Sequence, residues 1–272
     1  MIKVAICQMG ASKTSKENLQ TITNMARKAK EEAGDKLDVI VFPEYSYFAP
    51  DQQSESQMPE NIPGDFSNAM CALAKELNVN LIPGSFMRLA PSGKYYNTLM
   101  FINRQGEIVA KYDKIHLFNA LGCDEGASVE PGNAPCVFDT EFGRVGMMVC
   151  YDLRFPELAR GMVQQGANIL FVPAMFPGGD TLPPRTDHWD SLVNSCALLN
   201  LTYTVAVNQY GHVYDAIPFG RSRVLDPWGT VIAQCRNCED IAFANIDLDY
   251  QEKIRTGVAS WNNRRPDVYT LK

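Results

Sequence analysis

Leu37-Asp38-Val39-Ile40-Val41-Phe42-Pro43-Glu44 is the stretch on which the fold turns. Apolar side chains fall at both odd and even positions, so neither face of an extended chain here can point at water. A continuous apolar run of this length reads as a strand buried on both sides. It stops at a proline, which cannot donate to a ladder, and then at a carboxylate. Upstream, Leu19, Ile22, Ala26, Ala29 and Ala33 recur at helical spacing and predict a helix over 15–33, closed by Gly34-Asp35. Before that helix, residues 2–9 read as another buried strand. Downstream, residues 66–77 fit a second helix and Val79–Phe86 a third strand. A hairpin follows, Tyr95–Asn103 and Glu107–Ile115 around Arg104-Gln105-Gly106, then a second pair, 135–140 and 144–150, around Phe142-Gly143. The remainder alternates: helix Pro156–Gly166, strand Ala167–Ala174, helix Thr186–Leu199, strand Tyr203–Gln209, two strands flanking Asp226-Pro227-Trp228-Gly229, and a last strand Ile241–Leu248. Crossover helices mixed with hairpins indicate an α/β protein with a mixed sheet, or two sheets packed together. No Pro/Gly/Ser-rich linker divides the chain, so residues 1–272 are expected to form one domain.

Composition narrows the function. Of 272 residues, 46% are hydrophobic and 21% charged, and 25 basic against 31 acidic residues leave a net charge of −6. That is an ordinary globular composition, with no general reason to hold nucleic acid, which is bound mainly by neutralising phosphates. A membrane span needs about 20 apolar residues in a row; Ile169–Met175 is far shorter and contains Pro173. The first residues run straight into a strand and show no secretory signal, so a cytoplasmic protein is expected. The eight cysteines are then expected to be mostly free and buried. Cys235-Arg236-Asn237-Cys238 is a lone CxxC without the second pair or histidines that a zinc site wants.

Reactive groups cluster at strand ends, where open α/β sheets gather ligands. Glu44 closes one apolar strand. Cys150 closes Gly146-Met147-Met148-Val149. Lys114, in Tyr112-Asp113-Lys114-Ile115-His116-Leu117-Phe118, closes a hairpin strand. Taken singly, a strand-end Glu is usually a cap or salt bridge, a Lys a surface charge, and a buried Cys inert packing. Together they are a complete set for acyl transfer: a base, an oxyanion stabiliser and a nucleophile.

In these residues the chain strongly resembles the nitrilase superfamily of carbon–nitrogen hydrolases. Val39–Glu44 looks like its glutamate motif, and Tyr96-Asn97-Thr98 with Tyr112–Phe118 like its lysine motif. Val149-Cys150-Tyr151-Asp152-Leu153-Arg154-Phe155-Pro156-Glu157 looks like its cysteine motif. Seventy positions separate Glu44 from Lys114, and 36 separate Lys114 from Cys150. Gln8, Gly166-Ala167-Asn168, His188-Trp189, Asn208, Pro227-Trp228-Gly229 and Arg265–Tyr269 fit as well. The resemblance implies a four-layer α-β-β-α sandwich of two mixed sheets, with no metal or organic cofactor, in subunits that pair into a homodimer or larger homo-oligomer. It implies Glu44 as general base and acid, Lys114 as oxyanion stabiliser and Cys150 as nucleophile. It also implies a second glutamate after the lysine. The family places this residue six before a Pro-Gly pair; Pro131-Gly132 selects Glu125, leaving Glu130 an exposed loop charge. His116 is expected to be structural. The backbone N–H of Tyr151, the side chain of Arg154, and Ala174 and Met175 are expected to contact substrate. Arg154 could instead pair with Asp152 or Glu157.

The wording around Cys150 is most like the ω-amidases and deaminated-glutathione amidases. That points to a small, carboxylate-bearing linear amide, cleaved through a thioester with release of ammonia. The alternatives are an N-carbamoyl amide hydrolase and, from another class, a non-catalytic member that only binds. Residues 177–185 depart from the ω-amidase pattern in length and proline content and are expected to shape the pocket rim. Arg185 within them is expected to be an exposed loop arginine, with a second carboxylate or lid contact as the alternative.

Overall fold

Two-sided burial of the apolar strands generates the architecture. A computed structural model of the chain describes residues 1–12, 14–47, 60–178, 185–213 and 216–269. Strands β1 (Ile2–Gln8) and β2 (Leu37–Val41) run parallel, connected by α1 (Ser15–Ala33). The helix starts at Thr14, whose hydroxyl accepts from the Glu17 N–H at 3.3 Å, and stops at Gly34, where φ is +70°. Along β1, alternate residues face opposite ways. Ala5 and Cys7 join Ile22, Ala26 and Ala29 of α1 and Phe66, Met70 and Leu73 of α2 (Asp65–Leu77) in one buried cluster. Val4 and Ile6 face the other way and join a second, larger cluster.

That second cluster lies between two sheets. The first continues through β3 (Asn80–Ile82), β4 (Ser85–Leu89), β5 (Tyr95–Ile102) and β6 (Ile108–Asp113). The second contains β7 (Cys136–Thr140), β8 (Gly143–Met147), β9 (Ile169–Ala174), β10 (Tyr203–Asn208), β11 (Arg223–Leu225) and β12 (Val231–Gln234), in spatial order 12-11-10-9-8-7. The chain then returns as β13 (Asp240–Ile246) to the first sheet, antiparallel to β1, giving the order 13-1-2-3-5-4 with β6 against β5. Both sheets are mixed: β1–β2–β3 and β8–β9–β10 pair in parallel, and the hairpins are antiparallel. Phe101 of β5 joins the sheets, with its ring 5.0 Å from Phe138 and 6.4 Å from Phe171. Helices α3 (Pro156–Gln164) and α4 (Thr186–Asn200) contribute Met162, Val163, Trp189 and Val193 to the same cluster. The layers are therefore helix, sheet, sheet, helix. No helix among the described residues is long and apolar enough to cross a membrane. All eight cysteines are free, and Cys123 is exposed.

Two expectations fail for identifiable reasons. Val79–Phe86 is not one strand but two, β3 and β4, broken at Pro83-Gly84. Gly84 has φ +85°, and a Cβ there would sit 2.2 Å from the Pro43 carbonyl oxygen and 2.1 Å from Ser46 Oγ. The break is where the loop carrying Glu44 presses onto the sheet edge. The sequence also gives no warning of α5 (Leu248–Val258), because that helix has no apolar stripe and its one buried side chain is Gln251. It is held by polar contacts instead. Asp247 caps it by accepting from the N–H groups of Asp249 and Tyr250, and Arg255 donates to the Leu201 carbonyl and to Asn168 Oδ1.

Candidate active site

The loop after β2 is fixed by its backbone before its side chain matters. The Phe42 N–H donates to the Ile82 carbonyl at 2.9 Å. Tyr45 takes φ +55°, and its N–H donates to Ser85 Oγ at 2.9 Å. The Gln209 amide donates to the carbonyls of both Glu44 and Tyr45, at 2.7 and 3.1 Å. The turn this enforces drives the Glu44 carboxylate inward, where it is 1% exposed. Its Oε2 accepts from the Met175 N–H just past β9, at 2.7 Å. Its Oε1 accepts from Asn97 Nδ2 at 2.8 Å and from Lys114 Nζ at 3.0 Å.

Lys114 follows β6 directly, with its backbone N–H donating to the Asn97 carbonyl and its own carbonyl accepting from Gly132. Its ammonium is buried between two carboxylates, lying 3.0 Å from Glu44 and 2.9 Å from Glu125 Oε2. Glu125 also accepts from the Tyr45 hydroxyl at 2.8 Å and the Phe118 N–H at 2.6 Å. Glu130 has no bond to this cluster among the described residues; its backbone N–H donates to the Tyr95 carbonyl at 2.7 Å, and its carboxylate lies near the Tyr96 hydroxyl. One cation between two carboxylates leaves a net charge of −1, and the environment splits the two acids. At Glu125 the burial penalty is outweighed by Lys114 and the Phe118 N–H, and its pKa lies below the ordinary value. At Glu44 burial dominates over Lys114, the charge of Glu125 adds to it, and the pKa is raised. Burial works against the Lys114 ammonium, but Glu44 and Glu125 more than compensate, and it stays firmly protonated. Paired acids pushed apart in this way are suited to different tasks.

Cys150 opens a short 3₁₀ turn, Cys150–Arg154, three residues past β8, with φ +46°. For a residue with a side chain that conformation costs on the order of 1–3 kcal/mol and persists only where the surroundings enforce it. Asp152 does so. Fully buried, it accepts from the Val149 N–H at 2.8 Å, the Tyr112 hydroxyl at 2.7 Å and the His116 N–H at 3.0 Å, with His116 Nδ1 at 2.8 Å. The cysteine turn is thereby bound to the lysine strand. His116 also stacks on Phe155, ring centroids 3.6 Å apart, which is a structural role. The Cys150 thiol lies near the Glu44 carboxylate, whose charge acts on it, and its Sγ is 3.8 Å from the Met175 carbonyl oxygen. Burial, then the negative charge of Glu44, pushes the thiol pKa well up against the pull of Lys114. The resting nucleophile is a thiol with a base nearby, not a free thiolate.

The other expected residues are placed unevenly. Tyr151 packs edge-on against Phe118 and Phe155, at 5.0 and 5.4 Å. Of the next pair, Met175 meets the cluster through its backbone, while Ala174 stays in the strand with its carbonyl taken by the Gln209 N–H. Arg154 pairs with neither Asp152 nor Glu157 among the described residues; its Nη2 lies 3.2 Å from His188 Nδ1. Arg185 overturns its expectation, being 5% exposed rather than an open loop charge. Of the rim stretch 177–185, residues 179–184 lie outside the described residues. Asn97 escaped assignment, although it stood in a quoted motif. Its Nδ2 also lies 3.5 Å from Glu125, so it bridges both carboxylates. Asp152 and Gln209 escaped too, because their work is done across 36 or more residues of sequence, which spacing does not reveal.

Known proteins share this arrangement of elements. A sequence model of the family described as carbon-nitrogen hydrolase matches residues 3–256. The chain is 32% identical over 283 residues to the deaminated glutathione amidase of Bos taurus, covering 98% of this chain and 83% of that protein. It is 30% identical over 276 residues to the omega-amidase of Homo sapiens, covering 99% and 97%. A crystal structure from Saccharomyces cerevisiae, described as a member of branch 10 of the nitrilase superfamily, superposes with a TM-score of 0.84 at 29% identity, over 94% of each chain.

Proposed function

The chain belongs to the carbon–nitrogen hydrolase family, and from that premise we propose that it is an amidase for small linear amides bearing a carboxylate. Residues 1–272 act as one domain in this reading, supported by the core that the two sheets share. The observation that carries it is the Glu44 carboxylate lying between the Lys114 ammonium and the Cys150 thiol in a buried cluster. Glu44 takes the thiol proton as sulfur attacks the amide carbon. The carbonyl oxygen, now negative, is stabilised by Lys114 and by the Tyr151 N–H at the start of the turn, where backbone donors lack helical partners. Glu44 passes the proton to the leaving nitrogen, ammonia departs, and a thioester to Cys150 remains. Glu44 then draws a proton from water, hydroxide adds to the thioester, and collapse releases the acid and restores the thiol. Glu125, kept ionised, holds Lys114 in place. None of these steps uses a metal or organic cofactor.

The relatives' names and an arginine without an acidic partner among the described residues, Arg154, support a carboxylate on the substrate. Ammonia release is the test, across α-ketoglutaramate, succinamate, glutamine, an N-carbamoyl amino acid and a neutral aliphatic amide. Turnover of the carboxylated monoamides at least about tenfold above the neutral amide is the expected result. Preference for the carbamoyl substrate, with carbon dioxide released, would move the chain to that chemistry. Silence with a Cys150 inert to iodoacetamide would make it a binding protein.

Two further parts of the reading have their own support. Eight free cysteines suit a reducing compartment, the cytoplasm. Leu198, Leu199, Trp228, Val258 and Tyr269 line an exposed, largely apolar groove, a surface of the kind that a second copy covers. Light scattering is expected to give at least twice the 30.3 kDa of one chain, falling to the monomer mass in Leu199→Arg. A monomeric native protein would remove the dimer from the reading.

A further inference from the structure

Arg185 is a buried cation that lacks the partner its burial demands. Desolvating a guanidinium is costly unless a carboxylate and hydrogen bonds compensate. Arg185 is 5% exposed, yet no carboxylate pairs with it among the described residues. Its Nε is buried without a hydrogen-bond partner. One long bond is present, from Nη1 to the Pro177 carbonyl at 3.4 Å. What it has instead are two aromatic faces, with Cζ 4.2 Å from the Phe176 ring centroid and 5.4 Å from that of Phe118. Cation–π contact of this kind offsets only part of that cost.

The position of those rings sets the cation beside the reacting cluster. Phe176 follows Met175, whose N–H holds Glu44 and whose carbonyl lies beside Cys150. Phe118 donates its N–H to Glu125. Both rings therefore belong to residues whose neighbouring backbone borders the reacting cluster, and Arg185 contacts both. A second guanidinium shares one of these rings: Arg154 Cζ is 6.0 Å from the Phe176 centroid. Burial lowers the Arg185 pKa against the pull of Cys150, and the like charge of Arg154 adds to the lowering. Two guanidiniums on one ring, neither paired with an acid among the described residues and one of them within electrostatic reach of Cys150, form a receptor for an anion. The planar fork of arginine matches a carboxylate with two parallel hydrogen bonds.

We propose that Arg185 is the specificity-determining residue of this site, and that with Arg154 it grips the carboxylate at the far end of a linear amide whose carbonyl carbon lies at Cys150. The proposal deepens the amidase reading and rests on it for the identity of the reacting group. A neutral amide of equal length leaves the guanidinium unpaired, and a site built to bind a polar group rejects the analogue that lacks it.

The test compares succinamate with butyramide in the native enzyme and in Arg185→Met, Arg185→Gln and Arg185→Lys, each first shown folded by circular dichroism. The ratio of kcat/KM for succinamate over butyramide is expected to fall at least about 30-fold in Met and Gln, chiefly through KM, and to be partly restored in Lys. A second readout needs no turnover: succinate should protect Cys150 of the native protein from iodoacetamide, measured on the Cys150 peptide by mass spectrometry, and should fail to protect Arg185→Met. Succinamate hydrolysis with an unchanged ratio in Met and Gln would overturn the role of Arg185 and leave the amidase reading standing. Arginine-dependent protection by succinate, without turnover of any amide, would support the carboxylate subsite and overturn the amidase reading.

Discussion

Cys150→Ala and Glu44→Gln are both expected to abolish amide hydrolysis, each lowering kcat by about 10⁴-fold or more. Loss of a catalytic nucleophile alone has an effect of this order. The two substitutions fail for different reasons, and the difference can be measured. Cys150→Ala removes the sulfur. Glu44→Gln leaves it in place but removes the base that must take its proton, while burial, the largest cause of the raised thiol pKa, still works against the thiolate. Iodoacetamide should therefore label Cys150 rapidly in the native protein and much more slowly in Glu44→Gln. The label must be read on the Cys150 peptide, because Cys123 is exposed and reacts on its own account. The same logic sets the pH profile. Glu44 works as a base only when ionised, and burial raises its pKa. In the native enzyme kcat/KM should fall on acidification at a pH above the ordinary carboxylate range. Near-native activity in either variant would remove that residue from the mechanism.

How much of this was legible in the sequence depends on the range of the interaction. Strands buried on both faces, such as Ile2–Gln8 and Leu37–Val41, announce themselves because every residue obeys one rule, and α1 announces itself by its periodicity and its terminal glycine. Glu44, Lys114 and Cys150 stand out because each ends such an element. Glu125 was separable from Glu130 only through Pro131-Gly132, and the geometry behind that spacing is the Lys114 carbonyl accepting from the Gly132 N–H at 2.8 Å. What stayed hidden was long-range polar work. Asp152 joins β6 to the cysteine turn, Gln209 fixes the Glu44 loop from 165 positions away, and α5 is docked by Arg255 rather than by an apolar stripe. Arg185 was misjudged because arginine is usually exposed. The aromatic cage that buries it is assembled from Phe118 and Phe176, which lie 58 positions apart in sequence.

Lys114→Met should be the single change most damaging to stability, with a loss of activity besides, and the two losses can be separated. In the native protein one buried ammonium serves two buried carboxylates. Taking one partner out of such a group typically costs about 3–5 kcal/mol, because the remaining charge is left desolvated and unpaired. In Lys114→Met, Glu44 and Glu125 must share that burden, and at least one will take up a proton. Their folded pKa values then lie above their unfolded ones, so the variant binds more protons folded than unfolded. Its stability should be greatest at low pH and decline as pH rises through the folded pKa values. Urea unfolding should therefore show a deficit relative to the native protein that shrinks from pH 8 to pH 5. Replacing the second acid as well, in Lys114→Met/Glu125→Gln, removes one of the stranded charges and should recover much of the lost stability. It should not recover the rate, because the oxyanion would still lack its ammonium, a loss of about 10²–10³-fold in kcat for one such donor. A double variant that regained activity along with stability would mean that Lys114 only holds the two carboxylates together. A single variant as stable as the native protein at pH 8 would mean that the two acids are not charged in the folded state, and the division of roles between Glu44 and Glu125 would fall with it.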